Sequence, residues 1–234
     1  MNDRVKTFFR ILALGGVVTV GLAAPSISAE VLWKTFDATP YFAEPAECDR
    51  LAAHPDDPFR LAPGVPTSVM DRPAAIRACR TELARSPANP RLAYQLGRAL
   101  TYDGRVTEAL PYLEQSASAG YPQSLFVLGY LYLEGAYRTP RNVCRAAELI
   151  REAALYGRLA ALLGYPAYVL NGRFDSCALA DSTPELLAFV NRAREQRLEF
   201  YPVVLAETLQ QALRRRSESD TREMPATVTP RDLR

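Results

Sequence analysis

A helical phrase recurs along this chain, and its period decides the fold. One copy reads Ala93-Tyr94-Gln95-Leu96-Gly97, continues to Asp103-Gly104 and closes at Ala117-Ser118-Ala119-Gly120. The next reads Leu125-Phe126-Val127-Leu128-Gly129, then Tyr132 and Glu134-Gly135, closing at Ala153-Ala154-Leu155-Tyr156-Gly157. A third, worn copy reads Ala160-Ala161-Leu162-Leu163-Gly164, Tyr168 and Asn171-Gly172. The Leu-Gly pairs are 32 residues apart (97 to 129) and then 35 apart (129 to 164). A repeat of that length, holding two short helices, cannot bury its apolar face alone and stacks on its neighbours as an α-solenoid.

Outside the repeats, the sequence opens with a basic stretch (Arg4, Lys6, Arg10), an apolar run of 14 residues from Ile11 to Ala24, and Pro25-Ser26-Ile27-Ser28-Ala29. This is the pattern of a secretory signal peptide with cleavage near Ala29; the run is short for a membrane span of about 20 residues. The reading is therefore an exported, periplasmic protein with no stable membrane insertion once the leader is removed. From Glu30 onward, 28 − 3 = 25 basic residues balance 26 − 1 = 25 acidic ones, so charge gives no reason to expect nucleic acid as a partner. The four cysteines, Cys48, Cys79, Cys144 and Cys177, are an even count in an oxidising compartment. Three pairings are possible. Cys48–Cys79 and Cys144–Cys177 are expected, because each pair spans about one helical hairpin, where neighbouring helices meet.

Residues 30–44 hold Trp33, Phe36, Tyr41 and Phe42 without helical period and read as an extended lead-in. With a short helix to about Ala53, a Pro- and Asp-rich loop to Pro66 and a helix capped by Asp71, they form an N-terminal helical cap over 30–90, stabilised by a disulfide. Helices are expected at about 91–102, 105–119, 123–134, 141–156, 159–171, 184–197 and 201–215. Pro166 should kink or shorten its helix. Residues 216–234 read as a disordered tail. The fold class is all-α: an α-α superhelix of helical hairpins behind the cap.

Each repeat position has a packing reason. The Gly of Leu-Gly lets the partner helix approach, as do Ala109 and Ala146 opposite. Gly104, Gly120, Gly135 and Gly157 end helices where a left-handed residue is needed. The pattern A-x-x-L-G-x-x-Y-x-x-G…A-A-x-x-G resembles the Sel-one-like repeat, a relative of the tetratricopeptide repeat. Residues 123–157 match best, 91–120 carry Leu100 in place of Tyr, and 158–197 depart through Pro166 and a missing closing motif. The resemblance implies a right-handed superhelix whose first helices line a concave, ligand-facing surface. Carried over residue by residue, that surface holds Tyr94, Arg98 and Thr101; Phe126, Tyr130 and Leu133; and Ala161, Tyr165 and Tyr168. Each trio has i, i+4, i+7 spacing and shares one helix face.

Five aromatic rings and an arginine on one face suit burial against a protein or peptide partner. The same stripe also reads as core, or as a surface covered by the protein's own ends. His54, the only histidine, lies in a His-Pro-Asp-Asp-Pro turn, and no phosphate loop, serine-hydrolase elbow or zinc-protease motif is present. The expectation is a binding scaffold of the bacterial cell envelope that is not an enzyme and carries neither cofactor nor metal. The alternatives are a regulator or inhibitor of one envelope enzyme acting through a loop such as 54–68, and a hydrolase using paired carboxylates.

Overall fold

Helix starts in this protein are written by caps and prolines. Asn89 accepts hydrogen bonds from the amides of Arg91 and Leu92, and Pro90 occupies the first turn of the helix it opens. Asp71, Asn142 and Ser182 cap three others in the same way. The computed structural model describes residues 31–41, 44–179 and 181–223. The expected leader, residues 1–29, lies outside them, as do 224–234.

Among the described residues the secondary structure is entirely helical: α1 (Glu47–Ala52), α2 (Arg72–Arg85), α3 (Pro90–Tyr102), α4 (Val106–Ser118), α5 (Pro122–Glu134), α6 (Val143–Leu155), α7 (Leu159–Leu170), α8 (Thr183–Arg194) and α9 (Phe200–Glu223), with short 3-10 turns between. Each helix packs on the next, and α1 also meets α3 as α7 meets α9. The result is an α-α superhelix of hairpins α3/α4, α5/α6 and α7/α8, preceded by α1/α2 and closed by α9.

The Leu-Gly pairs set the hairpin spacing in two copies. A Cβ on Gly97 would lie 2.7 Å from Leu113 of α4, and one on Gly129 would lie 2.6 Å from Ile150 of α6. At Gly164 the nearest atom is 3.5 Å away, so the third pair leaves room that the first two fill. Gly120 and Gly157 end α4 and α6 with φ of 74° and 76°, which glycine adopts without penalty, and turn the backbone into Tyr121 and Arg158.

Both disulfides form with the expected partners. Cys48–Cys79 ties α1 to α2 in a fully buried position. Cys144–Cys177 ties α6 to the loop after α7, half-buried. Pro166 does not break α7, which has 12 residues against 13 in α3 and α5. Leu162, Leu163, Tyr165 and Pro166 itself are buried, and tertiary packing holds the helix across the missing hydrogen bond. The last helix runs to Glu223 rather than 215, because no glycine or proline interrupts the polar stretch before Pro225.

The lead-in is a strap laid back along the hairpins. Trp33 meets Phe189 of α8 edge-on, the amide of Lys34 donates to Leu155 O at the end of α6, and Phe36 packs on Phe59 and Tyr121. The carbonyl of Tyr41 accepts from Arg91 of α3, beside a buried ion pair of Arg91 with Asp49.

Candidate functional site

The first helices of the three hairpins are covered to different degrees, and this decides where a site can form. Along α3, every residue from Pro90 to Thr101 is buried. Arg98 donates to the carbonyls of Ala52, Ala53 and Val65 at 3.0, 3.0 and 2.7 Å, so the N-terminal cap sits directly on the face that carries it. Tyr94 is fully buried, and Thr101 turns its hydroxyl back to Gly97 O. On α5 Leu133 is buried, Phe126 is half-buried and Tyr130 is 42% exposed. On α7 Ala161 is buried, Tyr165 is buried against Phe174 and Phe189 with its hydroxyl on Asp181, and Tyr168 is half-buried beside Arg173. Of the residues expected on the ligand face, Phe126, Tyr130 and Tyr168 keep open surface; Tyr94, Arg98, Thr101, Leu133 and Tyr165 are held inside.

The open space lies at the other end of α7. A cleft of about 780 Å³ runs between the loop around Asp56–Pro58, the first turns of α7 and the start of α9. Leu159, Ala160, Leu163 and Gly164 form one wall, and Tyr201, Pro202 and Leu205 face them. The absent side chain at Gly164, which meets nothing closer than 3.5 Å, contributes to that space. The start of α9 is apolar and uncovered. Phe200, Tyr201, Val203, Val204 and Leu205 are all exposed, Tyr201 at 82%, while Ala206, Leu209 and Leu213 turn inward. Exposed apolar clusters of this kind mark interaction surfaces.

Arg158 lies at the root of the cleft. It is the residue before α7, only 8% exposed, and its Nε donates to Gln123 Oε1 at 2.5 Å while its guanidinium sits 5.8 Å from the Phe126 ring. Gln123 in turn donates to Tyr94 Oη at 3.2 Å. Burial lowers the Arg158 pKa, opposed by the fields of Tyr94, Asp56 and Asp57. An arginine remains charged regardless. Sequence reasoning missed this residue. The signal was there in the register of the repeats: Gly157-Arg158-Leu159 stands where Gly120-Tyr121-Pro122 stands one copy earlier, and Tyr121 is likewise buried.

The loop 54–68 lies down on the fold rather than standing out from it. Tyr121 donates to Asp57 Oδ2 at 2.7 Å, and the amide of Val65 donates to Ala53 O. Burial raises the pKa of Asp57, and that of Tyr121 rises well above its ordinary value, first by burial and then by the field of Asp57. His54 accepts the Asp56 amide on Nδ1, which requires a neutral ring there, and burial followed by the field of Arg98 takes its pKa down to about 4. The adjacent Asp56 side chain is 73% exposed, so the two neighbouring carboxylates occupy opposite environments and do not converge. Among the described residues no group of three or more His, Cys, Asp or Glu is placed to hold a metal, and no helix is long and apolar enough to cross a membrane.

No protein-family model, curated protein or solved structure matches the sequence.

Proposed function

We propose that this protein is a non-catalytic adaptor of the bacterial cell envelope that binds a protein or peptide segment in the cleft between α7 and α9. The observation that carries the reading is the cleft itself: about 780 Å³ of space lined by leucine, alanine, proline and tyrosine together with Asp56, Arg158, Gln196, Arg197 and Glu199, and continuous with an exposed apolar helix start. Such a surface gains free energy by excluding water from a partner of complementary shape. The resemblance of residues 91–157 to Sel-one-like repeats supports the same reading, as does the open aromatic surface of Phe126, Tyr130 and Tyr168. The ionisable groups with the largest perturbations support binding over catalysis, because they are committed to internal bonds: Tyr121 to Asp57, Tyr94 to Gln123, His54 to its own loop. Export to the periplasm rests on the leader pattern and on four cysteines consumed in two disulfides.

A photo-crosslinking residue placed at Tyr201 tests the proposal against one placed at Glu148, on an exposed part of α6. In cells, the adaptor reading expects a discrete adduct from position 201, suppressed by Leu163→Glu, and none from 148. Equal labelling from both positions, or none from 201, rejects it.

A further inference from the structure

Residues 31–41 lie on the hairpins as a bound peptide would. Residues 31–38 have no regular structure, and no residue of the stretch is buried. The Lys34 amide donates to Leu155 O at 3.0 Å, and the Tyr41 carbonyl accepts from Arg91 at 3.4 Å. Side chains make the other contacts. The Trp33 ring lies 5.8 Å from Phe189 and 5.7 Å from the Arg192 guanidinium, both on α8. Lys34 pairs with Glu152 of α6 at 2.6 Å and sits over the Tyr156 ring. Phe36 meets Phe59 at 5.0 Å and Tyr121 at 5.3 Å. Leu32, Thr35 and Asp37, between and beside these anchors, are exposed. The surface beneath is held more firmly than its occupant. Phe189 and Tyr121 are fully buried, and Tyr121 is fixed by its bond to Asp57. Trp33 keeps 42% of its surface open, and the Lys34–Glu152 pair is exposed on both sides, so it holds weakly. A segment with so few buried contacts opens locally while the helices stay folded.

We infer that the edge of the hairpin stack, from α8 past the end of α6 to Tyr121, binds an extended segment of another protein that carries two aromatic residues three positions apart and a basic residue after the first; Trp33, Lys34 and Phe36 of the strap occupy it in cis. Phe189 takes the first ring, Glu152 the cation, and Phe59 with Tyr121 the second ring, while the Leu155 carbonyl accepts from the segment's backbone. Aromatic rings gain most from burial at an interface, and the cation meets both a carboxylate and the Tyr156 face. The tethered strap competes at an effective concentration of about a millimolar. A second copy brings the same segment and no added contact, so it has no advantage over the tethered one. A different protein displaces the strap by covering the ring surface that Trp33 leaves open. The site shares no lining residue with the cleft between α7 and α9 and does not rest on that reading.

The test adds a fluorescein-labelled peptide of residues 31–38, Val-Leu-Trp-Lys-Thr-Phe-Asp-Ala, to the disulfide-intact protein and follows its anisotropy. Phe36→Ala, which releases the strap from Phe59 and Tyr121, should bind the peptide roughly tenfold or more tighter than the wild type, with helicity unchanged. The peptide with alanine in place of its phenylalanine should bind roughly tenfold or more weakly, and one with glutamate in place of its lysine about threefold more weakly. Trp33 is the only tryptophan, so it reports displacement in the wild-type protein directly. Unlabelled peptide at several times the effective concentration of the strap, carrying tyrosine in place of tryptophan, should shift the Trp33 emission to the red. That measurement holds even where Phe36→Ala fails to fold. No shift in the wild type, or equal affinity of the wild type and a folded Phe36→Ala, overturns the site. Loss of binding in Leu163→Glu moves the peptide to the cleft and overturns it too. A wild-type dimer that Phe36→Ala dissociates makes a second copy the occupant and overturns the external partner.

Discussion

The Leu-Gly pairs predict opposite responses to the same substitution. Replacing a helix-interior glycine by alanine gains about 0.8–1 kcal/mol of helix propensity when the new methyl meets nothing. At Gly164 the methyl has its nearest neighbours at 3.5 Å (Tyr168) and 3.8 Å (Phe126), ordinary contact, so Gly164→Ala should stabilise the protein by nearly the full amount. At Gly129 the methyl would lie 2.6 Å from Ile150 Cγ1, 3.2 Å from Ala146 O and 3.3 Å from Ile150 N. Two of those atoms are backbone, so relief requires α6 to move away from α5. Overpacking of this kind costs typically 1–3 kcal/mol, and because relief here must move α6 backbone the cost is taken at the upper end of that range, leaving a net loss approaching about 2 kcal/mol after the propensity gain. In a domain of this size that is a fall in Tm of several degrees for Gly129→Ala, against a rise of about 2–4 °C for Gly164→Ala. Urea unfolding of the disulfide-intact protein, followed by circular dichroism, reads both. If Gly129→Ala matches the wild type, or if Gly164→Ala loses stability as Gly129→Ala does, the account of hairpin spacing is wrong.

The disulfides close loops of nearly equal length, with separations of 31 and 33 residues, so loop-closure entropy assigns each about 4 kcal/mol. Access differs, and limited reduction with alkylation and mass spectrometry should open half-buried Cys144–Cys177 well before fully buried Cys48–Cys79. His54 makes stability depend on pH. Its folded pKa is lowered to about 4 from 6.5, so the unfolded protein binds the extra proton between those values. The contribution, on the order of 3 kcal/mol, is complete above pH 6.5 and disappears as pH falls through 4. His54→Asn should flatten that slope in acid denaturation, and an unchanged slope refutes the assignment. Arg98→Met leaves three cap carbonyls without their donor and should cost roughly 2–5 kcal/mol. The readout is proteolysis within residues 54–70 ahead of the repeats; uniform cleavage along the whole length would contradict it.

Much of this fold was legible in the sequence, and the particular residues show why. Nine helices were expected and nine are present among the described residues, with boundaries moved by only a residue or two at most ends. Asn89, Asp71, Asn142 and Ser182 announce starts through their own side chains, and the glycines after α4 and α6 announce stops. These are local signals. The polar end of α9 was misjudged because polarity alone does not terminate a helix. The ligand face was less legible. Tyr94, Arg98 and Thr101 do share one face of α3, yet that face is occupied by the cap.

The sequence by itself determined the repeat, its hairpin register and the helices, because periodicity, caps and loop lengths all act over a few dozen residues; of the three possible cysteine pairings it favoured the one that the structure then decided. Only the tertiary structure decided which surface stays open. The strap from Val31 to Tyr41 and the loop to Val65 belong to no repeat, so no period says where they lie. They settle on α3 and Tyr121, where carbonyls accept from the terminal nitrogens of Arg98 and a carboxylate accepts from Tyr121. One copy further along, at Arg158, the same loop lines one side of the cleft through Asp56 and Pro58 without filling it. The same position in the repeat is core in one hairpin and the root of a cleft in the next, because burial is a property of what lies against a residue.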